Sequence, residues 1–252
     1  MKTTNKTPPA TPIRPQIMSW SHSSLGNFEK CKQLAKFKQI DRIPEPERPL
    51  PEGKTEHAND RGSRIHDHAE LFVKGEHDKQ IPEMRKFAVE FDHLRHLYDK
   101  GFVSLEGEWG VDRNWEPTDW RTAWHRSKVD ALVRPNKHEA IVIDYKSGKR
   151  FGNEVKHAEQ IQLYALNTVL RYPEIETVTT ELWYLDVDEL TSATYNRERI
   201  LRFKAGFHSR GMRMTSATEF PPNPNLYTCQ WCPYGPWNGG PCTVGVKRGY
   251  NA

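Results

Sequence analysis

The apolar positions along the chain recur at helical spacing up to about residue 100 and then change period. Ser21 stands where it can cap a helix running to about residue 39, and the proline-rich stretch 44–53 reads as a loop. Residues 61–74 place Ile65, Ala69, Phe72 and Val73 on one face and stop at Gly75. Residues 83–100 repeat the pattern with Met84, Phe87, Phe91, Leu94 and Tyr98 before Gly101. From there the period falls to two, so that 102–113, 121–134 and 140–147 read as strands, the first two around the turn-like EPTD. A helix over 154–170, strands over 177–187 and 192–196, and a basic helix from about Arg197 complete the order. Helices before a strand cluster and a crossover helix after it predict an α/β fold with a central mixed β-sheet flanked by helices.

Residues 128–146, KVDALVRPNKHEAIVIDYK, read as two strands joined by a loop centred on Lys137, with Arg134 opposite Ala140. Val129, Ala131 and Val133 then meet Tyr145, Ile143 and Ile141, an apolar face expected on the core. The other face sets Asp130 against Asp144, with Lys146 two residues further on. Like charges opposed at about 4.5 to 5.5 Å between Cβ atoms destabilise a strand pair. A cation between them removes the conflict, and hard carboxylate oxygens suit Mg²⁺ or Mn²⁺. The alternative is a solvated face on which Lys128 and Lys146 neutralise the two acids.

Composition narrows the classes. The chain has 252 residues, 36% of them hydrophobic and 28% charged, and lacks an apolar run of about 18 residues, which excludes a helical membrane span. A net charge of +4 leans towards an anionic partner without naming one. The GKT at 53–55 is preceded by Arg48 where a phosphate-binding loop needs glycine, so a nucleotide-binding reading is discarded. Four cysteines are too few and too uneven for a disulfide scaffold. Cys229-x₂-Cys232-x₉-Cys242, with Cys31 far upstream, suits tetrahedral Zn²⁺ or an iron–sulfur cluster, and ligand count does not separate them. In the basic helix Arg197, Arg202 and Lys204 are candidate phosphate contacts, against the reading of a solvated face. Trp109, Trp115, Trp120 and Trp124 serve either cross-strand packing or stacking on unpaired bases. Gln160 and Tyr164, four residues apart, share one helix face.

An aspartate, a hairpin, then Asp144-x-Lys146 resembles the core of the PD-(D/E)XK nuclease superfamily, with Val129 where the name-giving proline stands. The run Asp-Tyr-Lys-Ser-Gly is most similar to its RecB-like exonuclease branch. In the same order SWSHSSLGNFEKC (19–31) resembles that branch's opening serine-rich helix, RGSRIHDHAE (61–70) its Gly-x-x-x-His element, and EQIQLYAL (159–166) its Gln-x-x-x-Tyr element. The likeness covers about residues 18–245. It implies a restriction-endonuclease-like core in which Asp130, Asp144, Lys146, Gln160 and Tyr164 are catalytic. It also implies that His66, Asp130, Asp144 and the Tyr145 carbonyl hold Mg²⁺ or Mn²⁺. The family carries an acid on the preceding strand, and of Glu106 and Glu108 the former is preferred.

The cysteine arrangement resembles that of the AddB nuclease domain and the CRISPR-associated RecB-like nucleases. That implies a 4Fe–4S cluster on Cys31, Cys229, Cys232 and Cys242 joining the chain ends, with Zn²⁺ as the alternative because the gap before Cys242 is wide. The expected organisation is a flexible basic tail (1–17), a nuclease domain (18–245) whose segment 226–245 carries the cluster, and a short tail (246–252). The implied activity is a metal-dependent DNA exonuclease acting on single strands or DNA ends in recombination, repair or phage DNA metabolism. No helicase motif is present, so unwinding would come from a helicase or recombination partner. Trimming of DNA for CRISPR spacer acquisition and a catalytically silent DNA-binding module are the alternatives. The expected location is the cytoplasm of a bacterium or of a phage-infected host, with no membrane partner.

Overall fold

A computed structural model describes residues 16–148 and 150–249. The tail expected at 1–17 falls almost wholly outside these residues, as do positions 250–252. Ser21 and Ser24 form a reciprocal capping box that satisfies the first orphan amides of α1 (His22–Lys30). The single helix expected as far as residue 39 is broken: Cys31 is extended (φ −160°, ψ 115°), and α2 (Lys32–Gln39) restarts after it. α3 spans Ala58–Val73. The next helix opens with a 3₁₀ segment, Pro82–Phe87, before α4 (Ala88–Asp99), consistent with Pro82 having no amide hydrogen to donate.

Six strands follow: β1 (Val103–Val111), β2 (Pro117–Thr118), β3 (His125–Val133), β4 (Glu139–Lys146), β5 (Thr177–Tyr184) and β6 (Glu189–Asn196). They form one sheet in the order β2-β1-β3-β4-β5-β6. Only β4 and β5 run parallel, joined across one face by α5 (Glu154–Arg171), so the sheet is mixed. α6 (Arg197–Thr215) and the short α7 (Leu226–Cys229) complete the fold. None of the helices is long and apolar enough to cross a membrane among the described residues.

Each sheet face has its own core. On one, Ile65, Phe72, Phe91 and Leu94 of α3 and α4 pack against Ala131, Val133, Ile143 and Tyr145. On the other, Leu25 of α1, Ile161 and Leu166 of α5 and Phe207 of α6 pack against Val142 and Leu182. α6 continues through Gly206 and Gly211. At Gly211 an added Cβ would lie 2.6 Å from Trp20 Nε1, so glycine admits the indoles of Trp20 and Trp124 against the helix. Of the four clustered tryptophans, Trp109, Trp115 and Trp124 are buried in this second core.

The hairpin has the expected register, Ala131 opposite Ile143 and Val133 opposite Ile141, but β3 and β4 pair only over residues 131–133 and 141–143. Below that point they separate. The edge β3 leaves free is taken by the N-terminal segment, with Trp20 N–H donating to the Trp124 carbonyl at 2.9 Å and Arg126 N–H to that of Trp20 at 2.9 Å.

The expected apolar face needs one correction. Val129 does not share a core with Ala131 and Val133; it packs in the opposite layer, with Trp109 and Val111 of β1. Side-chain alternation therefore reverses between residues 129 and 131. At the same level β1 carries Glu106 in the left-handed region (φ 45°), and the Glu106–Asp130 pair is missing from an otherwise regular ladder. A residue twisted out of β geometry cannot keep its neighbours on alternate faces.

Candidate active site at the fork of β3 and β4

The fork gathers side chains from five elements. Asp130, 7% exposed, lies where β3 leaves β4. Its Oδ2 accepts the backbone N–H of Tyr145 at 2.8 Å, and its Oδ1 lies 3.2 Å from His66 Nδ1 on α3. A residue's N–H and C=O point to the same side of an extended strand, so the Tyr145 carbonyl also faces the fork. Glu106 from β1 completes a group with His66 and Asp130 whose ligand atoms all lie within 4.8 Å of one another. Lys128 holds Glu106 at 2.7 Å. Glu108 is exposed and pairs across the ladder with Lys128.

Asp144, 2% exposed, belongs to the α5 side of β4. Its Oδ2 forms an ion pair with Lys146 Nζ at 2.6 Å, yet the angles are poor and the oxygen makes no aligned hydrogen bond. Lys146 donates to Gln160 Oε1 at 2.9 Å, and Gln160 Nε2 donates to the Tyr164 hydroxyl at 2.7 Å. The i, i+4 spacing on α5 thus orients the amide, and the amide orients the lysine.

The electrostatics favour a cation. Burial alone would lower His66, but Asp130, Asp144 and Glu106 outweigh it and hold the imidazole up at about 9. Burial pushes the Asp144 carboxyl above the usual range against the pull of Lys146, with Asp130 adding to the rise. Burial also raises Glu106, partly offset by Lys128. Three carboxylates and one imidazole, with a buried oxygen lacking an aligned donor, suit a hard divalent ion. The close group is His66, Glu106 and Asp130, whereas Asp144 is committed to Lys146.

The sequence did not point to several supports. Arg61 joins α3 to the end of β4, donating to the Ser147 carbonyl at 2.7 Å while pairing with Asp186 at 2.8 Å. On the α5 face of β3, Asn167 donates to Ser127 Oγ at 2.7 Å and lies 3.1 Å from His125 Nε2, a fully buried polar cluster. A buried histidine within an apolar strand is no signal by itself, because its partner lies on a helix far along the chain.

The basic helix is less available than its charge suggests. Arg197 donates to the Ile175 carbonyl at 3.0 Å, Arg202 pairs with Glu198, and Arg210 binds Glu29 and Glu159. Lys204 is half-buried. Cys31, Cys229, Cys232 and Cys242 line one pocket with Leu34, Phe37 and Trp237. No three of their sulfurs lie within 4.8 Å of one another. A tetrahedral zinc with Zn–S of about 2.3 Å would need sulfurs about 3.8 Å apart. Burial raises the Cys232 thiol.

Among solved structures, a protein of Eubacterium rectale named only provisionally as an exonuclease shares 11% identity with a TM-score of 0.50, covering 85% of this chain and 86% of that one. An alkaline exonuclease from Laribacter hongkongensis (12% identity, TM-score 0.27, covering 78% and 89%) and a phage-related exonuclease from Haemophilus somnus (11%, 0.28, 74% and 92%) also match. At such identity the first likeness concerns the fold alone, and the other two superpose too loosely to bear on it. No curated protein sequence matches the chain. The model of one family, the PD-(D/E)XK nuclease superfamily, matches residues 19–237, which is most of the chain, and the chain therefore belongs to that superfamily.

Proposed function

We propose that the protein is a divalent-metal-dependent deoxyribonuclease that degrades DNA from an end. The observation that carries this reading is the convergence of His66, Glu106, Asp130, Asp144 and Lys146 at one fork in the sheet. His66, Glu106 and Asp130 would hold Mg²⁺ or Mn²⁺, with Asp144 and the Tyr145 carbonyl completing the set. When bound, the ion supplies an acidified water and a polarised phosphate. The chain's own residues do the rest. Lys146, steadied by Gln160, stabilises negative charge as it builds on the phosphate oxygens. Tyr164 keeps the Gln160 amide in the orientation that accepts from the lysine. Arg61 anchors the strand end that carries Lys146.

For the cysteines the reading is a 4Fe–4S cluster with a structural role. Four thiols in one largely apolar pocket support a metal centre, and the choice of iron–sulfur over zinc rests on the family resemblance of the cysteine arrangement. Recombination, repair and phage DNA metabolism remain the pathway reading implied by family resemblance.

The test is degradation of end-labelled single- and double-stranded DNA by anaerobically purified protein, with Mg²⁺, Mn²⁺ or chelator, beside Lys146→Ala. Metal-dependent loss of DNA that falls by about 10² to 10³ in the variant supports the reading. Folded, cluster-loaded protein that binds DNA and never cuts it would replace the nuclease with a DNA-binding module.

A further inference from the structure

Two large aromatic side chains stand in water beside the cysteine pocket: Tyr227 is 88% exposed and Trp231 76%. Both flank Cys229 along the chain, and Trp231 immediately precedes Cys232. An exposed aromatic pair of this size is unusual on a protein surface without a partner. They line one concave surface together with Lys30, Lys38, Arg48, His57 and Asn59.

The charges around them indicate what the partner is. Lys38 and Arg48 share a single acid, Glu45. Lys30, exposed at the end of α1, has no ion pair among the described residues. Lys156, exposed near the start of α5, lies near both Lys30 and Lys146: burial and then these two charges lower its ammonium. Asp144 is engaged with Lys146, and Glu29 and Glu159 with Arg210. A row of cations short of counter-charge, ending at two exposed rings, matches a polyanion that also presents flat apolar faces.

We infer that Tyr227 and Trp231 are a stacking platform for the unpaired bases of a DNA strand whose phosphates pass Lys30 and Lys156 to reach Lys146. This inference rests on the nuclease reading and adds to it the residues that would select a single strand or a frayed end. Duplex bases are already stacked on each other and offer no free face to the rings. Trp231 lies between Cys229 and Cys232, and Tyr227 stands two residues before Cys229, so whatever orders these two cysteines also sets the two rings.

The experiment is fluorescence anisotropy with labelled oligothymidylate of about 16 and about 4 nucleotides, the span of site sizes for single-strand binders. Cluster-loaded protein is used in chelator so that cleavage does not intervene. Tyr227→Ala/Trp231→Ala should bind the longer strand at least about fivefold more weakly, since each stacked base contributes a fivefold to hundredfold effect. The short strand should bind the two proteins alike, and Tyr227→Phe/Trp231→Phe, which keeps both rings, should restore most of the affinity. Lys30→Gln should reduce the salt dependence by about one phosphate contact. Unchanged affinity for the longer strand in the alanine variant, with cleavage intact in wild type, would overturn the platform alone. Wild-type protein that cuts duplex ends but neither binds nor cuts single strands would also overturn the platform, and protein that cuts neither form would overturn the nuclease reading itself. Iron content and melting temperature matched to wild type exclude loss of the cysteine centre as the cause.

Discussion

The Asp130 carboxylate occupies the place of a missing ladder partner: its Oδ2 accepts the Tyr145 backbone N–H at 2.8 Å where β3 and β4 have begun to part. One side chain thus closes the sheet and contributes an oxygen to the cation-attracting group. The two roles separate experimentally. Asp130→Asn keeps an acceptor for the Tyr145 amide but loses the charge, and it should fold with a near-native melting temperature while losing Mn²⁺ binding and cleavage. Asp130→Ala leaves that buried amide unpaired and should cost about 1 to 3 kcal/mol as well. Denaturant titration beside Mn²⁺ calorimetry checks both, and equal stability of the two variants would count against the structural role.

Gln160 acts through Lys146, so its loss should appear in turnover. Gln160→Ala removes one charge-assisted hydrogen bond, on the order of 1.5 to 3 kcal/mol, or roughly tenfold to a hundredfold in kcat, with KM little changed. Tyr164→Phe, which only loosens the amide, should cost less. A KM effect with unchanged kcat in either variant would place Gln160 in substrate binding instead.

The cysteine centre should affect stability before chemistry. On the proposed cluster reading, Cys242→Ser or Cys229→Ala should abolish bound iron and visible absorbance and lower the melting temperature, because Cys31 before α2 and the three C-terminal cysteines line one pocket that a cluster would tie together. The fraction that stays folded should still cut a short single strand in the presence of metal. Full stability with no iron in the wild-type protein would remove the cluster.

Acid should weaken the fold through His125. Burial, with the nearby His22 charge adding to it and a Trp20 backbone hydrogen bond opposing it, lowers this imidazole to about 3, against 6.5 in the unfolded chain. Below pH 6.5 the unfolded state gains a proton that the folded state refuses. The stability His125 contributes is therefore complete above pH 6.5 and falls by about 1.4 kcal/mol per unit as pH drops towards 3. Asp144, raised by burial, slopes the opposite way over part of that range, so the comparison is between wild type and His125→Gln. The difference in unfolding free energy should shrink steadily between pH 6.5 and 4. A difference independent of pH would show that the histidine titrates freely in the folded protein.

Periodicity and turn residues determined most of the element order and the hairpin register over Ala131–Val133, because each is a local consequence of side-chain spacing along a helix or strand. His66 and Glu106 were expected only from family resemblance, and the expected opposition of Asp130 and Asp144 is lost where the strands part. The break at Cys31 was not legible, since the same residues suit a continuous helix and only the distant cysteines and Tyr234 give the break a partner. The reversal of faces at Asp130 was hidden too. It depends on Glu106 adopting a left-handed conformation that its residue type does not favour, and on the N-terminal segment pairing with the edge β3 abandons. Which charges stay open to a ligand was likewise decided by the tertiary structure: α6 looks like the basic surface in sequence, yet folding sets Glu29 and Glu159 against Arg210 and leaves Lys30 exposed beside Tyr227 and Trp231. A sequence records the sign of each charge, and only long-range packing determines which opposite charge it meets.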